Sequence, residues 1–208
     1  MTVPSTSVDP GNTLGVILAG GASRRFGSDK ASAALGGVAL LDRVIARVRP
    51  QVGALVISGD SDGKHNLPVI PDRIPGAGPL AAVHACLCWA AERSYPLVAT
   101  FPCDAPFFPP DLVERLRQAL GVCDCVMVRR SGQGHYAFGL WRVAAAAKLG
   151  PAIERGIRSF RDLEPIATRA YADFPIGGDG PGGDPFFNIN LPDDLAAAER
   201  WLSQTTRS

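Results

Sequence analysis

Leu14-Gly15-Val16-Ile17-Leu18-Ala19 runs straight into Gly20-Gly21. A strand this uniformly apolar is buried on both faces, the habit of a parallel sheet covered by helices. Ala54 to Ser58 (ALVIS) and Leu97 to Phe101 (LVATF) have the same character, each closed by Gly, Pro or Asp. Helical spacing fills the gaps between them. Leu40 to Val48 puts Leu40, Leu41, Val44, Ile45 and Val48 on one face, and Pro79 to Arg93 repeats the pattern with Leu80, Val83, Leu87 and Ala91. The alternation of strand and helix predicts a three-layer α/β/α, Rossmann-like fold with a mainly parallel, mixed central sheet.

Further along, Asp111 is placed to cap a helix over Leu112 to Leu120, which Gly121 stops. Val122 to Val128 and His135 to Trp141 read as strands, Ala144 to Leu149 as a short helix, and Gly177 to Gly183 as a loop. Pro192 opens a last helix from Asp193 to Leu202, its first turn acidic as the helix dipole favours. No internal repeat or linker interrupts this order. The 208 residues are therefore read as one domain over 14–203, with a flexible N-terminal extension over 1–13 and a tail over 204–208.

Composition removes several classes of function. Hydrophobic residues make up 46% of the chain, enough for a buried core, and a net charge of +1 gives no overall field for nucleic acid or an anionic membrane. Met1 to Asn12 has neither a basic start nor an apolar run, and no apolar run is long enough to span a bilayer, so a cytoplasmic protein is expected. Cys86, Cys88, Cys103, Cys123 and Cys125 are an odd set in C-x-C pairs, and read as reduced, buried small hydrophobes rather than metal ligands. Cys86 and Cys88 would point to different faces of a helix, and Cys123 and Cys125 to one face of a strand.

The richest chemistry follows the first strand: Leu18-Ala19-Gly20-Gly21-Ala22-Ser23-Arg24-Arg25-Phe26-Gly27-Ser28-Asp29-Lys30. Paired glycines let a backbone approach a ligand, and free N–H groups there suit phosphate oxygens. Arg24, Arg25 and Lys30 bring positive charge to the same loop. Lysine is scarce in this chain, at Lys30, Lys64 and Lys148 only, so its use here is informative. The bland alternative is a surface loop with solvated cations. The spacing excludes a P-loop (Asp29, not Gly, precedes Lys30), a G-x-G-x-x-G fingerprint (the glycines are adjacent) and a nucleophile elbow (Arg25 replaces its second Gly).

The pattern L-A-G-G-x-x-x-R-F-G-x-D-K resembles the opening signature of the molybdenum cofactor guanylyltransferases, within the nucleotidyltransferase superfamily. That resemblance implies a loop wrapping a nucleoside triphosphate, with Leu18, Ala19, Gly20, Gly21, Arg25 and Lys30 at the phosphates. Phe26 stands where the family usually has Met. Phe101-Pro102-Cys103-Asp104-Ala105-Pro106-Phe107 resembles the family's second signature, whose Asp binds Mg²⁺ and the nucleotide. An Asp at the C-terminal end of a parallel strand is where ligands collect, and one carboxylate with phosphate oxygens and waters is a normal Mg²⁺ site. An Asx-turn or helix cap is the plainer role for Asp104.

Asp72, ahead of Gly78-Pro79-Leu80-Ala81, is carried over to the nucleotide site by the same resemblance, though a turn role suits its residue type equally. Ser58 stands where the family commonly has Asn, keeping a hydroxyl and losing an amide. Phe187-Asn188-Ile189-Asn190-Leu191-Pro192 resembles the family's C-terminal block, with Leu191 replacing Thr. Asn188 and Asn190, two apart on a strand, would share a face toward the pterin; capping or strand pairing is the alternative.

The resemblance covers about Leu14 to Leu202. It implies GMP transfer from GTP to the phosphate of molybdopterin or Mo-molybdopterin, with Mg²⁺ as cofactor and Arg25, Lys30 and Asp104 as catalytic residues. Other proteins of cofactor biosynthesis, or acceptor proteins, would be partners. A phosphate nucleophile is already ionised, so no general base is needed. His65, His84 and His135 are scattered, and His135, in the Gly-rich stretch from Gly132 to Gly139, is the least settled of them. Two other readings stay open: a cytidylyltransferase of the same fold, whose loop commonly reads L-A-A-G, and a non-catalytic nucleotide-binding module.

Overall fold

The computed structural model describes residues 10–19, 33–59, 64–71 and 78–205. Its strands are β1 (Thr13–Leu18), β2 (Ala34–Leu35), β3 (Val38–Ala39), β4 (Ala54–Ser58), β5 (Val69–Ile70), β6 (Leu97–Pro102), β7 (Cys125–Arg130), β8 (Gln133–Arg142) and β9 (Arg169–Phe174). Its helices are α1 (Leu40–Val48), α2 (Pro79–Ala91), α3 (Leu112–Leu120), α4 (Ala146–Glu154) and α5 (Pro192–Thr205).

Among the described residues the main sheet has the order β5-β4-β1-β6-β8-β7-β9. β5, β4, β1 and β6 run parallel, β8 runs against both β6 and β7, and β9 is parallel to β7. This is the expected mixed, mainly parallel sheet. The period-two alternation of each strand serves two separate cores. Ile17, Ile57, Phe101 and Val126 pack with α1 and α3 on one face. Leu14, Val16, Val56, Val98 and Met127 pack with α2 and α4 on the other. Three layers result. α5 closes a third cluster with Leu35, Leu40 and Phe107 at one end.

Gly15 shows how tightly the layers meet. A Cβ there would lie 2.9 Å from Val52, 3.0 Å from Leu55 and 3.1 Å from Val48. Only a glycine lets α1 and the turn after it come this close to β1.

Several local expectations change. The Asp111 side chain does not cap α3; it accepts from Arg115 Nε at 2.9 Å. The Val113 N–H is served instead by Gln51 Oε1 at 3.0 Å, from the turn that follows α1. β7 begins at Cys125 rather than Val122, because Gly121 takes φ 50° and throws Val122 into solvent at 97% exposure. Cys123 thus lies in the turn before the strand and is half-buried, while Cys86, Cys103 and Cys125 are buried. α2 stops at Ala91, where Ser94 turns with φ 61° before Pro96. β9 forms the far edge. No helix among the described residues is long and apolar enough to cross a membrane.

Candidate active site

The site is built on one edge of the sheet. Strand register aligns Leu18 with Ser58 on one side and with Pro102 on the other, and Ser58 with Ile70. The C-terminal ends of β1, β4, β5 and β6 are therefore level, at the edge where open α/β sheets bind ligands. Ala19 carries the chain one residue past β1 and donates its N–H to Ser58 O at 2.8 Å. Ser58 is 1% exposed, and among the described residues its Oγ has no hydrogen-bond partner. A buried hydroxyl left so costs roughly 1–3 kcal/mol, which marks this strand end as a place with hydrogen-bonding capacity to spare. Gly20, Gly21, Arg24, Arg25, Lys30 and Asp72 lie outside the described residues.

Asp104 sits in the turn two residues past β6, half-buried, and its carbonyl accepts the Ile189 N–H at 2.9 Å. That bond ties the β6 turn to the segment carrying Asn188 and Asn190. The segment is not a strand. Its N–H groups go elsewhere: Ile189 to Asp104, and Asn190 and Leu191 both to Asp194 Oδ2 at 2.8 Å, which caps α5. Asn188 and Asn190 still share an outward face, since buried Ile189 alternates with them.

Beside Asp104 the sheet forks. Pairing of β6 with β8 ends at Thr100–Gly139, and β8 then departs from β7 as well. Met127 opposes Gly139, yet the next residue, Val128, opposes His135, so Tyr136, Ala137 and Phe138 bulge from the ladder. Bulges of this kind re-aim side chains and gather near functional sites. The turn that starts β8 is Ser131-Gly132, with φ 49° and 80°, the left-handed pair of a tight hairpin. A cleft of 310 Å³ opens in the fork, lined in part by Pro102, His135, Tyr136, Asp184, Phe186 and Asn188. Phe186 is its floor, held by Phe138 at 5.2 Å and Phe174 at 4.9 Å, and His135 lies on it at 5.2 Å.

Charge is arranged behind this wall. Arg130 donates to Gly183 O at 3.1 Å and lies 3.7 Å from Asp184 Oδ1, which also accepts the Phe186 N–H at 3.0 Å. Burial lowers the His135 pKa from its ordinary value; Asp184 pulls it up and Arg130 pulls it down.

Residues 15–168 match the family model for the MobA-like NTP transferase domain. The chain belongs to this family. It is 41% identical, over 94% of its length and 96% of the relative's, to the molybdenum cofactor guanylyltransferase of Rhizobium johnstonii. Among solved structures it resembles molybdopterin-guanine dinucleotide biosynthesis protein A of Archaeoglobus fulgidus, with TM-score 0.70, 26% identity, and 92% and 99% of the two chains covered. It shares its fold with the 4-diphosphocytidyl-2C-methyl-D-erythritol synthase of Anaerococcus prevotii, at TM-score 0.68 and 11% identity, over 92% and 98%.

For this MobA-like chain, Leu18, Ala19, Ser58, Asp104 and Asn188 come to one edge, while Asn190 lies further along at the start of α5 and outside the cleft lining. Asp104 offers a hard carboxylate oxygen, the donor a small divalent cation takes. No cluster of three or more His, Cys, Asp or Glu exists among the described residues. Sequence alone does not distinguish His135, Tyr136, Asp184 and Phe186, which line the cleft. Their only advance signal is the glycine-rich run around His135.

Proposed function

We propose that the chain is a molybdenum cofactor guanylyltransferase. It moves GMP from GTP to the phosphate of molybdopterin, with or without molybdenum, and releases pyrophosphate. One observation carries the reading: Leu18 pairs with Pro102, so β1 ends beside the turn that carries Asp104. Kinship to guanylyltransferases over nearly the whole chain supplies the choice of base and acceptor.

Gly20 and Gly21 present backbone amides to the triphosphate, and Arg25 and Lys30 balance its charge. Ser58 and Asp72 contact the nucleotide, and Asn188 and Asn190 the pterin. Asp104 holds Mg²⁺, which when bound neutralises phosphate charge as it shifts. An acceptor phosphate oxygen bonds to the α-phosphorus; the bond from that phosphorus to the bridging oxygen breaks, and its electrons leave with pyrophosphate. A phosphate monoester has its second pKa near ~6, so no side chain has to take a proton. Positioning and electrostatics supply the catalysis. The free cysteines suit a reducing compartment, and we place the protein in the cytoplasm.

The test is pyrophosphate release by purified protein with Mg²⁺, molybdopterin and either GTP or CTP. Release with GTP supports the assignment. Release with CTP alone makes the chain a cytidylyltransferase, and release with neither makes it a binding module.

A further inference from the structure

The nucleotide elements and the forked cleft lie on opposite sides of Asp104. In the sheet order, β1 and β4 flank β6 on one side and β8 flanks it on the other. Leu18 at the end of β1 and Ser58 at the end of β4 belong to the first side, and His135 and Tyr136 to the second. A group bound in the cleft is therefore the second substrate, not the nucleotide. At 310 Å³ the cleft is at the small end of ligand pockets, a size that suits a fused planar ring system.

Resting on the proposed transfer reaction, we propose that His135 contacts the acceptor: held on Phe186 in the fork between β6 and β8, its imidazole hydrogen-bonds the edge of a planar heteroaromatic head group. The ring is positioned in advance. Phe186 is 1% exposed and wedged between Phe138 and Phe174, and His135 lies over it at an interplanar angle of 39°. The His135 backbone is pinned opposite Val128 immediately before the bulge.

Burial lowers the pKa of this imidazole and so favours its neutral form. A neutral ring has one N–H donor and one lone-pair acceptor, the complement of a heterocycle edge that shows both. Two donors would suit a phosphate instead. Asp184 and Arg130, the charged groups beside it, pair with each other at 3.7 Å and so add little net charge to the wall.

The discriminating variant is His135→Phe, which keeps the ring on Phe186 and removes both nitrogens; His135→Ala accompanies it. KM for molybdopterin should rise about tenfold or more in both, and KM for GTP should stay within about twofold, as loss of a substrate hydrogen bond implies. An unchanged KM for molybdopterin in His135→Phe, or equal rises for both substrates, overturns the assignment. Equilibrium titration with molybdopterin, without GTP, reads the same contact apart from turnover. If wild-type protein binds molybdopterin but transfers no nucleotide, the transfer reading fails alone. If His135→Phe then binds as tightly as wild type, the role of His135 fails too.

Discussion

At the residue scale, the place of Asp104 at the sheet edge was legible from its position in the chain. It follows an apolar strand ended by Pro102 and Cys103, and parallel strands that end together bring their next residues to one edge. Asp104→Asn removes a formal charge from the ligand set and should abolish Mg²⁺-dependent pyrophosphate release; a Mg²⁺ titration curve like that of wild type would reject the metal role. Lys30→Ala should lower kcat by ~10²–10³, the loss seen when one preorganised charge-stabilising donor is removed. Wild-type-like turnover in that variant takes Lys30 out of the mechanism. His135 was not legible in the same way. Its importance depends on which residues of β8 leave the ladder, and alternation along the sequence does not show a bulge.

At the scale of elements, helix and strand positions follow from periodicity, but their fastening does not. α1 and α3 have the bounds that their apolar spacing predicts, yet Asp111 beside α3 does not cap it. Gln51, sixty-two positions from Val113, takes that role while its amide nitrogen donates to Arg47 O at 2.9 Å. Gln51→Ala should cost about 1–2 kcal/mol of unfolding free energy, the usual loss of a helix cap. Asp111→Ala should cost under about 0.5 kcal/mol, since an exposed pair four residues apart contributes little. Chemical denaturation of both variants checks the ranking, and a larger loss at Asp111 would reverse the assignment. The C-terminal asparagines teach the same lesson. Their alternation predicts a strand, but the N–H groups of Ile189, Asn190 and Leu191 are committed to Asp104 and Asp194.

For the molecule as a whole, the two halves of the sheet are joined through β8, and Asp124 braces the far half. Its carboxylate accepts from Lys148 Nζ at 2.7 Å and from Thr168 N and Oγ1, both at 2.7 Å, linking the starts of β7 and β9 to α4. Burial alone would raise its pKa, but the hydrogen bonds from Lys148 and Thr168 outweigh it and hold the group below its ordinary value. A carboxylate depressed in the folded state stabilises above its unfolded pKa and loses that contribution as pH falls through its folded pKa. Asp124→Ala should cost about 2 kcal/mol at neutral pH, as charged hydrogen bonds are lost. The gap from wild type should close as the pH drops below the carboxylate range. Thermal unfolding of both proteins across acid pH measures this, and a gap independent of pH would mean the charge is not what stabilises.

The primary structure by itself determined the layers, the order of elements and the edge where the ends of β1, β4 and β6 come level. Those depend on local apolar runs and on the rule that parallel strands end together. Only the tertiary structure decided where the sheet splits, which polar group satisfies which distant N–H, and that an aromatic stack under His135 makes a second compartment. Such features arise from contacts between residues far apart in the chain. Hydrogen-bond partners and bulges are settled by what packs nearby, and one-dimensional spacing carries no record of that.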